Sequence, residues 1–273
     1  MKHKNISYQS NNLLAFFLDK GKPCFTFPEV LEALQGIAPN TARQLLSHMA
    51  KRGLLMRIKN GLYYIIPFDQ DPETFMPDWH LLASPLTKGY EYYVGYYSAL
   101  QLHQLITQPS LTEMIVTNHQ LKPSLIKVRE VTFQFVYHHK THFFGTTEVW
   151  VDSFDKVVCS DLEKTFVDCL FKPEYGGGIV EIGKALYQAR TNIDFEKLLD
   201  YCKRFDSQAV IKRLGFLLEL LRIGEPIIET LQDLKTDSYI LLDTEMEKDG
   251  KSLSRWSIRQ NIDAETIENA LLT

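Results

Sequence analysis

A chain of 273 residues has length for two domains, and 45% hydrophobic with 23% charged side chains is ordinary for a soluble globular protein with a sizeable core. The formal charge of −4 argues against a nucleic-acid partner only as an average. Residues 1–70 hold nine cations (Lys2, Lys4, Lys20, Lys22, Arg43, Lys51, Arg52, Arg57, Lys59) and four acids (Asp19, Glu29, Glu32, Asp69), a net of +5. The remaining 203 residues hold 21 basic and 30 acidic side chains, a net of −9. A basic segment joined to an acidic body is a pattern of nucleic-acid-binding modules on a separate scaffold. The N-terminus shows no apolar signal core and no run approaches the ~18 apolar residues of a membrane span. Cys24, Cys159, Cys169 and Cys202 form no C-x-x-C pair, which disfavours structural zinc and fits reduced thiols in a cytoplasmic protein.

Residues 11–19 (NNLLAFFLD) predict a first helix, capped by Asn11 or Asn12 and broken by the Gly-Lys-Pro step at 21–23. A second helix is expected from Pro28, with Val30, Leu31 and Leu34 along one side and Gly36 closing it. Asn40 is a good N-cap for a third helix, in which Ala42, Leu45, Leu46 and Met49 recur at i, i+3, i+4, i+7. The opposite face then carries Thr41, Arg43, Gln44, Ser47, His48, Lys51 and Arg52, side-chain types that donate to phosphates and base edges. Gly53 stops the helix. Residues 54–58 and 62–66 read as strands around Asn60-Gly61, a dipeptide suited to a type I′ turn. Arg57 and Lys59 flank the tip. Together these segments predict a winged helix-turn-helix domain over residues 1–70.

Residues 67–80 hold three prolines and four acids and are expected to contain a linker, placed at 71–80. The body, 81–273, reads as α+β: a small, mostly antiparallel sheet followed by a helical bundle. A helix is expected at 94–106, strands at 113–118, 129–137, 142–144, 147–152 and 156–159, and a helix at 160–171 opened by a Ser160/Glu163 capping box. Helices at 178–190, 194–205 and 208–222, a strand at 238–242 and a helix at 263–272 complete it.

No strong catalytic signature emerges, and no cofactor or metal is expected. His138 and His142 in HHKTH are four apart, but β-rich surroundings favour a polar hairpin tip over a metal site. Tyr175-Gly176-Gly177-Gly178 precedes a helix and raises the question of phosphate. Without a following Lys-Ser/Thr step a tight turn is the better reading. Asp152, Asp155 and Asp161 do not make the paired-carboxylate strand of a nucleotidyltransferase, and Ser98–His103 has no acidic partner for a hydrolase triad. The cluster Tyr90, Tyr92, Tyr93, Tyr96, Tyr97 suits a core with an interface rim better than a base-stacking platform.

Taken in order, an N-terminal winged helix, YYVGYYSALQLHQL at 92–105, VCSDLEKTFVDCLFKPEYGGG at 158–178 and a helical tail resemble the AbiEi family of bacterial antitoxins, from type IV abortive-infection toxin–antitoxin systems. The most specific pieces are Ser98-Ala99-Leu100 with His103, and Ser160-Asp161-Leu162-Glu163-Lys164-Thr165 with Asp168. Gln104 departs from the Gly that the family tends to carry after the His. The resemblance implies a non-enzymatic regulator whose winged helix binds inverted repeats in its own promoter as a repressor. It also implies that the C-terminal domain neutralises a nucleotidyltransferase toxin without a stable complex. On the residues themselves, Thr41, Arg43, Gln44, Ser47 and His48 are expected in the major groove, and Lys51, Arg52, Arg57 and Lys59 on phosphate. The alternatives are a stand-alone regulator whose acidic body senses a ligand or partner, and an enzyme carrying a winged helix as an appendage.

Overall fold

The computed structural model describes residues 7–87, 89–106 and 108–272. The chain divides into two compact units, Met1–Gly89 and Tyr90–Thr273.

The first unit begins with α1, Tyr8–Leu18, whose N-cap is Ser7: its hydroxyl accepts from the Ser10 amide at 3.3 Å. Asn11 and Asn12 therefore lie inside the helix, not at its start. A short strand β1, Cys24–Thr26, runs straight into α2, Phe27–Ala33, with Pro28 in its first turn. The Glu29 carboxylate ties off the start of α2 by accepting from the Thr26 amide (2.7 Å) and hydroxyl (2.8 Å). The third helix, α3, covers Pro39–Lys51. Its N-cap is Ala38 and Pro39 leads it, so Asn40 sits in the first turn with its side chain free for another task. At the far end Gly53 takes a left-handed φ of +73°. Bonds from its amide to Ala50 O and from the Leu54 amide to Met49 O, both 3.0 Å, complete a Schellman cap.

Strands β2, Leu55–Lys59, and β3, Leu62–Ile65, form the expected hairpin, and β1 adds to its other side to give the order β1-β3-β2. The turn is not type I′. Gly61 has φ +76°, Asn60 does not share the positive φ, and the register shifts between Arg57 and Lys59. A one-residue irregularity supplies the geometry that two left-handed residues would have given. The core of this unit gathers Leu13, Leu14 and Phe17 from α1, Val30 from α2, Ala42, Leu46 and Met49 from α3, and Phe25, Leu54, Leu55 and Ile65. Phe17 stacks on Phe25 at 4.2 Å between ring centres. The stretch expected as a linker, 71–80, falls inside this unit. It runs into a 3-10 turn, Trp79–Leu82, and α4, Ala83–Thr87, with His80, Leu82 and Leu86 buried.

The second unit is built on β4 (Tyr92–Val94), α5 (Tyr96–Leu102), β5 (Thr112–Thr117), β6 (Leu125–Val128), β7 (Val131–Tyr137), β8 (Thr146–Trp150) and β9 (Lys156–Ser160). The sheet order is β6-β7-β5-β4-β9-β8. Pairs β5–β7 and β4–β9 are parallel and the other three antiparallel, so the sheet is larger and more mixed than expected. Residues 140–142, overlapping the strand expected at 142–144, form a 3-10 turn instead.

Helices α6 (Leu162–Phe171), α7 (Gly178–Gln188), α8 (Phe195–Phe205), α9 (Gln208–Leu221) and α10 (Glu225–Leu234) follow. Then come β10 (Ile240–Leu241), β11 (Lys251–Leu253), β12 (Ile258–Gln260) and α11 (Ala264–Ala270). Helix α6 is buried from Glu163 to Leu170, on all sides rather than on one stripe. Its cap is Asp161, which accepts from the Lys164 amide at 2.9 Å, and not Ser160, which belongs to β9. On α9, Gly215 lies against Trp256 so closely that a Cβ would stand 2.1 Å from the indole. No described helix is long and apolar enough to cross a membrane.

Candidate nucleic-acid interface

Helix α3 separates its side chains as the periodicity predicts. Ala42, Leu46 and Met49 are fully buried and Leu45 half-buried, while Thr41, Arg43, Gln44, Ser47, His48, Lys51 and Arg52 are all exposed. Burial of three apolar residues fixes the helix to α1 and α2, and that anchoring aims the polar face outward. Arg57, on the adjoining hairpin, is exposed, and its guanidinium donates to the Asn60 side chain at 3.0 Å. Lys59 is placed differently. It is half-buried, and its ammonium donates to the Leu86 carbonyl of the same unit at 2.9 Å.

Arg43 is held from two sides. Its Nη1 donates to Asn40 Oδ1 at 3.0 Å, and its guanidinium carbon lies 4.8 Å from the centre of the Phe27 ring. The Phe27 amide in turn donates to Gly61 O at 2.8 Å, which ties the start of α2 to the hairpin turn. Neither Asn40 nor Phe27 stood out in the sequence as a site residue. The i, i+3 spacing of Asn40 and Arg43 was the one available signal. Lys22 is held on Glu29; burial works against that carboxylate's charge, but the bonds from Lys22 and Thr26 leave its pKa below the usual range.

The polar motifs of the second unit are occupied internally. Lys164 and Asp168, one turn apart on α6, form a fully buried ion pair. Tyr93 joins it, accepting from Lys164 Nζ at 2.9 Å and donating to Asp168 Oδ2 at 2.9 Å. Burial pushes the Asp168 carboxyl up and the Lys164 ammonium down, each against the pull of its partner. His138 is no polar hairpin tip: it is buried, 2.5 Å from the Tyr96 hydroxyl and 3.8 Å from Asp168 Oδ1. Desolvation first, then the nearby Lys164 and Lys172 charges, lower its pKa to about 2. His142 stacks on Phe205 at 3.8 Å, and no cluster of described residues is arranged to hold a metal ion.

The remaining motif residues are used the same way. Ser98 Oγ accepts from the Met114 amide at 2.8 Å, and His103 Nε2 lies 2.8 Å from Ser160 O. Ser160 bonds Thr165 (2.7 Å), Asp161 accepts from Tyr201 (2.9 Å), and Glu163 accepts from the Asp194 amide (3.0 Å). At the Gly-rich turn, the Ile179 amide at the start of α7 donates to Asp243 Oδ2 at 2.7 Å. The place a phosphate would take at that helix N-terminus is filled by a carboxylate of the chain itself. Of the tyrosines, Tyr93 and Tyr96 are core, Tyr92 and Tyr97 half-buried, and Tyr90 stacks at the surface on His119.

The exposed face of α3, the hairpin and the helices that support them fall largely within residues 12–66. Residues 12–66 match the family described as "Transcriptional regulator, AbiEi antitoxin", so the family resemblance is borne out over this segment. The Ser98–His103 and Ser160–Asp168 motifs lie outside the matched residues. Among solved structures, the crystal structure of the RV2827C protein from Mycobacterium tuberculosis is similar in fold. The TM-score is 0.69 at 14% identity, over 100% of this chain and 97% of that one. No curated protein matches the chain.

Proposed function

We propose that the first unit is a winged helix-turn-helix module that binds double-stranded DNA, and that the protein represses its own operon from promoter inverted repeats. The observation that carries this is the division of α3. A helix anchored by Ala42, Leu46 and Met49 presents seven polar residues, Thr41 to Arg52, to solvent, with no acidic residue among them. Thr41, Arg43, Gln44, Ser47 and His48 enter the major groove, where a recognition helix reads base edges. Lys51, Arg52 and Arg57 contact phosphate, and Lys59 does so last, because its ammonium must first leave Leu86 O. The net +5 of residues 1–70 supplies the long-range attraction. The match to antitoxin regulators supports a second role for the acidic body, counteracting a nucleotidyltransferase toxin without a stable complex.

Fluorescence anisotropy of the purified protein tests the DNA reading, with its own upstream duplex and a scrambled duplex titrated across a salt series. Tighter binding to the upstream duplex, with affinity falling steeply as salt rises, is the expected result. Equal and weak binding to both duplexes contradicts it.

A further inference from the structure

We propose that Asn40, Arg43 and Phe27 form a preorganised reader of a single guanine, with Arg43 touching the base and the other two acting as positioning residues. The inference rests on the DNA-binding reading above and deepens it. A flexible arginine on an exposed helix samples many rotamers, and ordering it on a base costs side-chain entropy. Here the side chain is held from two directions before any DNA arrives. The Asn40 carbonyl oxygen accepts from Nη1 at 3.0 Å, and the face of Phe27 lies 4.8 Å from the guanidinium carbon. Among the described residues, Nε and Nη2 have no hydrogen-bond partner. Those two donors form the fork that matches guanine O6 and N7 in the major groove. A phosphate-gripping arginine needs no such fixing, since phosphate accepts from many directions.

The position of Phe27 gives the hairpin a part in recognition. Its amide bonds to Gly61 O at 2.8 Å, and its Cβ lies 3.8 Å from where a Gly61 side chain would begin. The turn thereby sets the ring, the ring sets the guanidinium, and Asn40 sets its rotation. Of the five residues placed in the major groove, Thr41, Arg43, Gln44, Ser47 and His48, Arg43 is the one arginine, which singles out one base position.

Binding of the full-length protein to a randomised duplex library, followed by sequencing of the bound fraction, tests this with four variants. Wild type is expected to enrich a motif with a guanine-preferring column. Arg43→Ala should lower that preference by about tenfold while leaving the other columns. Asn40→Ala and Phe27→Leu should each flatten the same column by about two- to fivefold, more than any other column, and Phe27→Tyr should restore it. The proposal is overturned if Arg43→Ala leaves the column intact. It is equally overturned if Asn40→Ala and Phe27→Leu leave it intact, or if they weaken every sequence alike. Should Phe27→Leu fail to fold, Asn40→Ala decides, since Asn40 is exposed. A wild type that enriches no motif removes the DNA-binding reading itself, a failure distinct from one confined to the variants.

Discussion

The two units use polar side chains in opposite ways. On α3 the polar residues face solvent and the fold does not need most of them for its own hydrogen bonds. On α6 the polar residues Lys164, Thr165 and Asp168 are fully buried and spend their donors and acceptors on Tyr93, Ser160 and each other. Among described residues that are not exposed, every buried side-chain N or O atom has a partner. The more distinctive sequence motif therefore serves the fold, while the plainer basic helix carries the proposed contact surface. Buried polar networks act this way because a partly satisfied one is worse than an apolar core.

The largest effect that separates the two regions is expected at Asp168. Asp168→Ala leaves the Lys164 ammonium buried without its ion-pair partner and should cost about 3–5 kcal/mol of stability in urea unfolding. Replacing both as Lys164→Met with Asp168→Leu should recover much of that. If the single variant is as stable as wild type, the network is not holding the second unit.

A pH experiment reaches the same network. Folded His138 stays neutral down to about pH 2, whereas in the unfolded chain it titrates near 6.5. Below that value only the unfolded state takes up the proton, so stability falls as pH drops. Between pH 7 and pH 5 the loss from this group is about 2 kcal/mol. The stability lost between pH 7 and pH 5, read from unfolding curves, should be smaller by that amount in His138→Gln than in wild type, and equal losses count against a neutral, buried imidazole.

The proposed contact surface should respond in binding and not in stability. Arg43→Ala is expected to cost about 1–3 kcal/mol on the upstream duplex with an unchanged melting temperature. Lys51→Ala should weaken all duplexes alike and flatten the salt slope by about one unit. Anisotropy separates the two patterns, and a melting-temperature shift with no binding change would assign either residue to the fold.

The smallest effect concerns Gln104, which follows α5 in a left-handed conformation, φ +59°. Gln104→Gly should relieve about 0.5–1 kcal/mol of strain, partly offset by the freedom glycine gains in the unfolded chain. A loss of stability in thermal unfolding would show that the side chain repays its strain.

Legibility in the sequence followed the same division. Helix α3 and the hairpin were readable because burial there follows a 3.6-residue period and Gly53 and Gly61 punctuate it. Strands β1, β4, β11 and β12, each three residues long, were missed: three residues are too few to display alternation, and pairing partners far along the chain make them strands. Helix α10 went unread; it opens after Gly224 with Pro226 in its first turn, a position where proline starts a helix as readily as it breaks one. The type of the hairpin turn was misjudged because Asn-Gly fits more than one backbone path. His138 was misplaced since local polarity, HHKTH, says nothing of the helix packed over it. The Phe27–Arg43 stack needed the three-dimensional arrangement outright.

Hydrogen–deuterium exchange of the full-length protein, with and without its upstream duplex, tests the division between the units most directly. Protection by DNA concentrated in residues 39–61, with the exchange of 160–171 unchanged, is the expected result. Protection confined to 90–272, or none at saturating duplex, would contradict it.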